Sequence, residues 1–241
     1  MREIEIFGVP ICIGSREALL ALARERLLSG GAIATVNATM LERARRDRIF
    51  RHTLTKMTCI PDGVGVRVLL SYFGVRTDVL PGVELLEEIL ADGRHRVALI
   101  GGHVGVAEAA GAYLMRHNPE LDIALMHDGY SDFSGILAEK LHTLDAVCLA
   151  LGSPKQELLA YRLAVRCAGL FTIGLGGTLD VYSGRVRRAP RFFRALGLEW
   201  MWRMLREPRR LCGVGDLLRF MIFGIVSHPI APKTVEKSSD T

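Results

Sequence analysis

Apolar residues along the chain fall into two rhythms. The opening EIEIFGVPICI alternates with period two and turns at Gly8-Val9-Pro10, which predicts a hairpin. From Ser15 the apolar positions of SREALLALARERLL recur at helical spacing, with Ser15 as cap and Ser29-Gly30-Gly31 as stop. AIATVN then reads as a buried strand, followed by a helix from about Thr39 to Phe50. KMTCIP is another strand, which delivers Asp62, and a helix runs from about Gly65 to Phe73. Gly82 precedes the helix VELLEEILA.

The middle of the chain repeats one unit. RVALIGGHVGVAEAAGAYLMRH reads as strand, glycine loop and helix. LDIALMHDGY reads as strand and loop, leading to a helix near Ile136 to Leu144. DAVCLALGSPKQELLAYRLA and LFTIGLGGTLD repeat the pattern. Strands apolar throughout, alternating with helices, imply an α/β fold with a mainly parallel sheet covered by helices on both faces. Such sheets bind ligands beyond the carboxyl ends of their strands. Asn37, Asp62, Gly101-Gly102, Asp128-Gly129-Tyr130, Gly152 to Gln156 and Gly176 to Asp180 all follow predicted strands, so six loops are expected on one rim.

From about Arg185 the rhythm stops and RVRRAPRFFRALGLEWMWRMLREPRRL begins. Nine arginines against two glutamates give residues 185–210 a net charge of +7, while the whole chain carries +5 and the rest therefore −2. Charge gathered in one segment is a functional clue. We read an α/β core over 1–184, a basic helical carboxyl-terminal appendage over 185–228 and a frayed tail over 229–241. Arginines with interleaved aromatics suit nucleic acid, a membrane surface, or a solvated structural helix. Trp200 and Trp202 beside arginines, near the apolar Leu217 to Val226, favour the membrane surface over nucleic acid.

Hydrophobic content of 49% in 241 residues is enough for a full core. Five scattered cysteines without a CxxC pair fit a reduced, cytoplasmic compartment and argue against a disulfide framework. The amino terminus lacks the features of a signal peptide. LLRFMIFGIV at 217–226 is too short to span a bilayer but suits its interface. Self-association would hide such a segment until a membrane is met.

The loops carry the candidate chemistry. Pro61-Asp62-Gly63 is good turn chemistry that also presents a carboxylate at a strand end. IGGHVGVAE resembles a phosphate loop at a helix start, but G-G-x-x-G departs from the dinucleotide fingerprint; a nicotinamide oxidoreductase stays open as an alternative. In GSPKQE, Lys155, Gln156 and Glu157 fall at a helix amino terminus, where they hold a phosphate or sugar hydroxyl or form a solvated cap. Asp180 in GGTLDVYSG accepts from a base or ribose, or caps a turn. For a nucleotide the rim offers Gly101, Gly102, Gly129, Tyr130, Gly152, Lys155 and Asp180. The histidines form no ligand pair and Asp-x-Asp is absent, so no metal site and no cofactor are assigned.

Taken together, TVN at 35–37, LERARRD at 41–47, PDGVGV at 61–66, GGHVGVAE at 101–108, DGY at 128–130, GSPKQE at 152–157 and the run 176–211 resemble the WecG/TagA/CpsF glycosyltransferase family. The resemblance covers roughly residues 5 to 212. It implies a Rossmann-like core with a membrane-docking appendage. It also implies an inverting enzyme that moves a sugar from a UDP-sugar donor onto a polyprenyl-diphosphate-linked saccharide at the cytoplasmic membrane, in cell-surface polysaccharide assembly. The sugars used across the family include N-acetylmannosamine, its uronic acid and glucose. Carried over residue by residue, Asp62 matches the catalytic base, and Thr35, Asn37 and Gln156 match polar positions of the same pocket. Asp180 matches an acid near the nucleotide, and Arg203 and Arg210 fall in the appendage's basic stretch. Many relatives carry an arginine just before the glycine of VLPGVEL, where this chain has Val79 and Leu80 and its nearest arginine is Arg76.

Overall fold

The computed structural model describes residues 2–91, 93–187, 189–190, 193, 202 and 212–226. A hairpin of β1 (Arg2–Ile6) and β2 (Val9–Ile13) comes first, followed by α1 (Arg16–Ser29). Ile6 pairs with Val9, so the turn is Phe7-Gly8, one position earlier than the Gly8-Val9-Pro10 expected. The reason is conformational. A two-residue hairpin loop of this kind needs positive φ at both residues; Phe7 and Gly8 take 51° and 80°, whereas proline is fixed at negative φ. Pro10 lies inside β2, opposite Glu5.

Strands β3 (Gly31–Val36), β4 (Thr58–Pro61), β5 (Arg96–Gly101), β6 (Asp122–His127), β7 (Ala146–Ala150) and β8 (Phe171–Gly174) form a six-stranded sheet in the order β4-β3-β8-β7-β5-β6. The pairings of β3 with β8, β8 with β7, β7 with β5 and β5 with β6 are parallel. The helices are α2 (Ala38–Arg46), α3 (Arg48–Thr55), α4 (Val64–Tyr72), α5 (Gly82–Ile89), α6 (Val106–His117), α7 (Ser134–Lys140), α8 (Lys155–Arg166), α9 (Thr178–Tyr182) and α10 (Cys212–Val226). The architecture is the α/β fold with a mainly parallel sheet that the strand rhythm implied, and it is Rossmann-like as the family resemblance implied.

Two helix boundaries differ from expectation. The single helix from Thr39 to Phe50 is two, broken at Asp47, whose extended backbone closes α2 and whose Oδ1 accepts from the Ile49 and Phe50 N–H groups to cap α3. The helix expected over Ile136 to Leu144 begins at Ser134 and ends at Lys140, continuing as a 3-10 turn over Leu141–Thr143.

The chain divides into two compact units. One contains residues 1–19, 36–81 and the described residues beyond 187; the other contains 20–35 and 82–187. In the second unit one register row runs through Ile33, Ile173, Cys148, Leu99 and Met126. The first four of these are fully buried, as the apolar runs require of strands covered on both faces. Burial pushes the Cys148 thiol up to about 12, so that it serves as a small core filler. The next row is Ala34, Gly174, Leu149, Ile100 and His127, so the loops after β8, β7, β5 and β6 begin within one residue of the same level.

In the first unit, α10 lies on α2 and α4. Phe220 is fully buried and meets the Phe7 ring edge-on at 5.9 Å. A side chain at Gly224 would strike Leu69, so glycine lets the two helices approach. Two arginines of LERARRD, Arg45 and Arg46, join this packing. Glu42 is completely buried, taking two bonds from Arg45 at 2.9 Å each and an ion pair from Arg46 at 3.3 Å. Arg46 also reaches Asp216 of α10 at 2.8 Å.

Candidate functional site

Asp62 is set by its backbone. Its N–H donates to the Val36 carbonyl at 2.9 Å, and the Pro61 carbonyl before it accepts from Leu80 N–H at 2.9 Å. Gly63 after it has φ 81° and opens α4 with no atom within 4 Å of where a Cβ would stand. The turn is therefore pinned on one side and open on the other, and it holds a half-buried carboxylate at the end of β4.

Val36 directly precedes Asn37, so Asn37 and Asp62 stand at adjacent strand ends in the first unit. Asn37 also has structural work. Its Oδ1 accepts from Met40 N–H at 3.1 Å and from the Thr39 hydroxyl at 2.7 Å, capping α2. Of Val79 and Leu80, which stand where the resemblance leads one to expect an arginine, Val79 is half-buried and Leu80 fully buried, while Arg76 is exposed. Thr77 and Asp78 tie that segment to Gly14 and to the Arg16 N–H. Arg203 and Arg210 lie outside the described residues.

The second unit brings the glycine loops together. Gly102 N–H donates to the Ala150 carbonyl at 3.2 Å, and Gly129 N–H donates to the Gly102 carbonyl at 2.9 Å. These two bonds chain the loops after β7, β5 and β6. A Cβ on Gly101, whose φ is 144°, would fall 2.3 Å from the Ala150 oxygen, so only glycine permits this approach. Tyr130 is 75% exposed and stacks on the His103 ring, with centroids 4.7 Å apart and an 18° tilt. Asp128 accepts at 2.8 Å from both the Ser131 and the Tyr130 N–H, which holds its carboxyl below the usual carboxylate range.

Thr35 and Gln156 meet through Gly174. The Thr35 hydroxyl donates to the Gly174 carbonyl at 3.3 Å. Gln156 Oε1 accepts from Gly152 N–H at 3.2 Å and from Gly176 N–H at 3.0 Å, while its Nε2 donates to Glu157 at 2.7 Å. Lys155 is exposed at the start of α8, and Asp180 is half-buried in the first turn of α9.

Chemically, the second unit offers the amino termini of α6 and α8, an exposed cation and an exposed aromatic pair. That set suits an anionic, ring-bearing ligand. Reading the sequence overlooked one residue and misjudged the burial of another. His103 lay within the glycine loop and gave no sign of its stacking partner. Glu157, placed by its spacing with the polar face of a helix start, is completely buried.

Residues 4–227 match the profile of a family described as the glycosyl transferase WecG/TagA/CpsF family. The chain is also similar to an N-acetylglucosaminyldiphosphoundecaprenol N-acetyl-beta-D-mannosaminyltransferase of Bacillus subtilis (strain 168). Identity is 31%, over 75% of this chain and 73% of the relative.

Proposed function

Because the chain belongs to the WecG/TagA/CpsF glycosyltransferase family, we propose that it moves a sugar from a UDP-sugar onto a polyprenyl-diphosphate-linked saccharide during cell-surface polysaccharide synthesis. The donor sugar is of N-acetylmannosamine type or a related hexose or uronic acid. The relative from Bacillus subtilis supports this reading by its name, which gives both an N-acetylmannosaminyl group and a diphosphoundecaprenol-linked N-acetylglucosamine acceptor.

The observation that carries the mechanism is Asp62, held half-buried on a pinned turn at a strand end beside Asn37. In this account Asp62 takes the proton of the acceptor hydroxyl. The oxygen attacks the anomeric carbon while the bond to UDP breaks on the opposite face, which inverts the configuration. UDP departs as an anion. The α6 and α8 amino termini and Lys155 supply positive potential for its diphosphate, with Arg203 and Arg210 adding to it. Tyr130 offers its ring to the nucleotide base, and Asp180 accepts from the nucleoside.

No helix among the described residues is long and apolar enough to cross a membrane. The acceptor is lipid-linked, so we assign residues 185–228 to docking on the inner face of the cytoplasmic membrane. The support is α10. Its buried side is filled by Phe220 and Gly224, while Leu218, Ile222 and Val226 are 58%, 58% and 72% exposed. Away from lipid, the same face is suited to self-association.

The test is a panel of UDP-sugars with a synthetic diphosphate-lipid acceptor, read by mass spectrometry. One UDP-sugar should add one sugar mass to the acceptor. No transfer from any of them, together with preferential binding of NAD, would replace this reading with an oxidoreductase.

A further inference from the structure

Gln156 and Glu157 open α8, and both are buried, at 4% and 0% exposure. A glutamine amide has one accepting end and one donating end. Here the accepting end faces two N–H groups, those of Gly152 and Gly176, and the donating end faces the Glu157 carboxylate. This pattern exists in one orientation of the amide. Reversed, it would set NH2 against two donors and a carbonyl against a carboxylate.

The fit is tight. A Cβ on Gly174 would lie 2.9 Å from Gln156 Nε2 and 3.1 Å from Glu157 Oε1, so the pair rests on bare β8 backbone. Through one oxygen, the loop after β7 is tied to the loop after β8.

We propose that Glu157 is a positioning residue for sugar transfer: it fixes the Gln156 amide so that its oxygen clamps Gly152 and Gly176 at the spacing that receives the donor's nucleotide diphosphate. Gln156 then acts through the two loops. The inference rests on the transferase reading for what the loops hold, whereas the clamp itself is testable without ligand.

The experiment measures hydrogen exchange at the Gly152 and Gly176 amides in the full chain, together with KM and kcat for the UDP-sugar. Glu157→Leu should speed exchange at both glycines by about tenfold to a hundredfold, the scale of a released buried hydrogen bond. It should raise the donor KM by about tenfold with kcat little changed, because a loosened subsite weakens binding. Mere loss of folded protein would lower apparent kcat at unchanged KM. Gln156→Glu opposes two carboxylates and should also release both loops. The double variant Gln156→Glu/Glu157→Gln should restore them, since the new carboxylate at 156 accepts from both glycines and from the new amide at 157. Should Glu157→Leu fail to fold, the double variant decides.

Unchanged exchange at both glycines in Glu157→Leu, or no recovery in the double variant, would overturn the clamp. Failure of the unsubstituted chain to bind UDP would instead sink the transferase reading, leaving exchange to judge the clamp.

Discussion

Arg45 of α2 lies over the ring of Phe223 in α10, its guanidinium carbon 3.9 Å from the ring centroid. The same guanidinium makes two 2.9 Å bonds to the fully buried Glu42, so one side chain satisfies an interior carboxylate and pins a helix. The planar fork matters on both counts. Arg45→Ala should therefore cost about 3 kcal/mol, because it leaves Glu42 with reduced compensation in the interior. Arg45→Lys should recover only part of this, and Phe223→Leu should cost about 1 kcal/mol. Chemical denaturation of the full chain measures all three.

The Asp128 loop should respond to acid in a defined direction. The Ser131 N–H, then the Tyr130 N–H, with help from the Ser131 hydroxyl and His127, depress the Asp128 pKa below its unfolded value. Its contribution is thus fully present above the unfolded carboxylate range and is lost as pH falls through the lower folded value. The amide resonances of Tyr130 and Ser131 should titrate together below the ordinary aspartate range. Asp128→Ala should remove that titration and weaken UDP binding.

The outward face of α10 offers a separable test of membrane docking. Leu218 and Ile222 are each 58% exposed, so changing both to glutamate should leave stability within about 1 kcal/mol. Binding to anionic vesicles should fall by about tenfold or more, since both apolar contact and attraction to the headgroups are lost. Sedimentation with vesicles measures it. Equal binding by the double variant would remove α10 from the docking surface.

Much of this was legible in the sequence because parallel strands announce themselves. β7 is apolar throughout and β3, β5 and β8 nearly so, so their ends and the loops after them could be read by eye. What stayed hidden was which polar residues turn inward. Glu42 sits in a run that looks fully solvated, LERARRD, yet it is completely buried under its own arginines. Asn37 reads as a polar site residue, and its oxygen also caps α2. Gln156 bonds to glycines four and twenty positions away, a relation that no local spacing encodes. Asp47 was lost inside a helical pattern because a cap and a solvated helix residue look alike in sequence.

The central claim is that Asp62 is the base. Asp62→Asn keeps the shape of the turn and the backbone bond to Val36, and replaces the carboxylate with a neutral amide that cannot act as the base. Transfer to a diphosphate-lipid acceptor should fall by about 100-fold to 10,000-fold, the range for loss of a general base, while UDP binding stays within about twofold. A variant that retains most of its transfer rate would contradict the account.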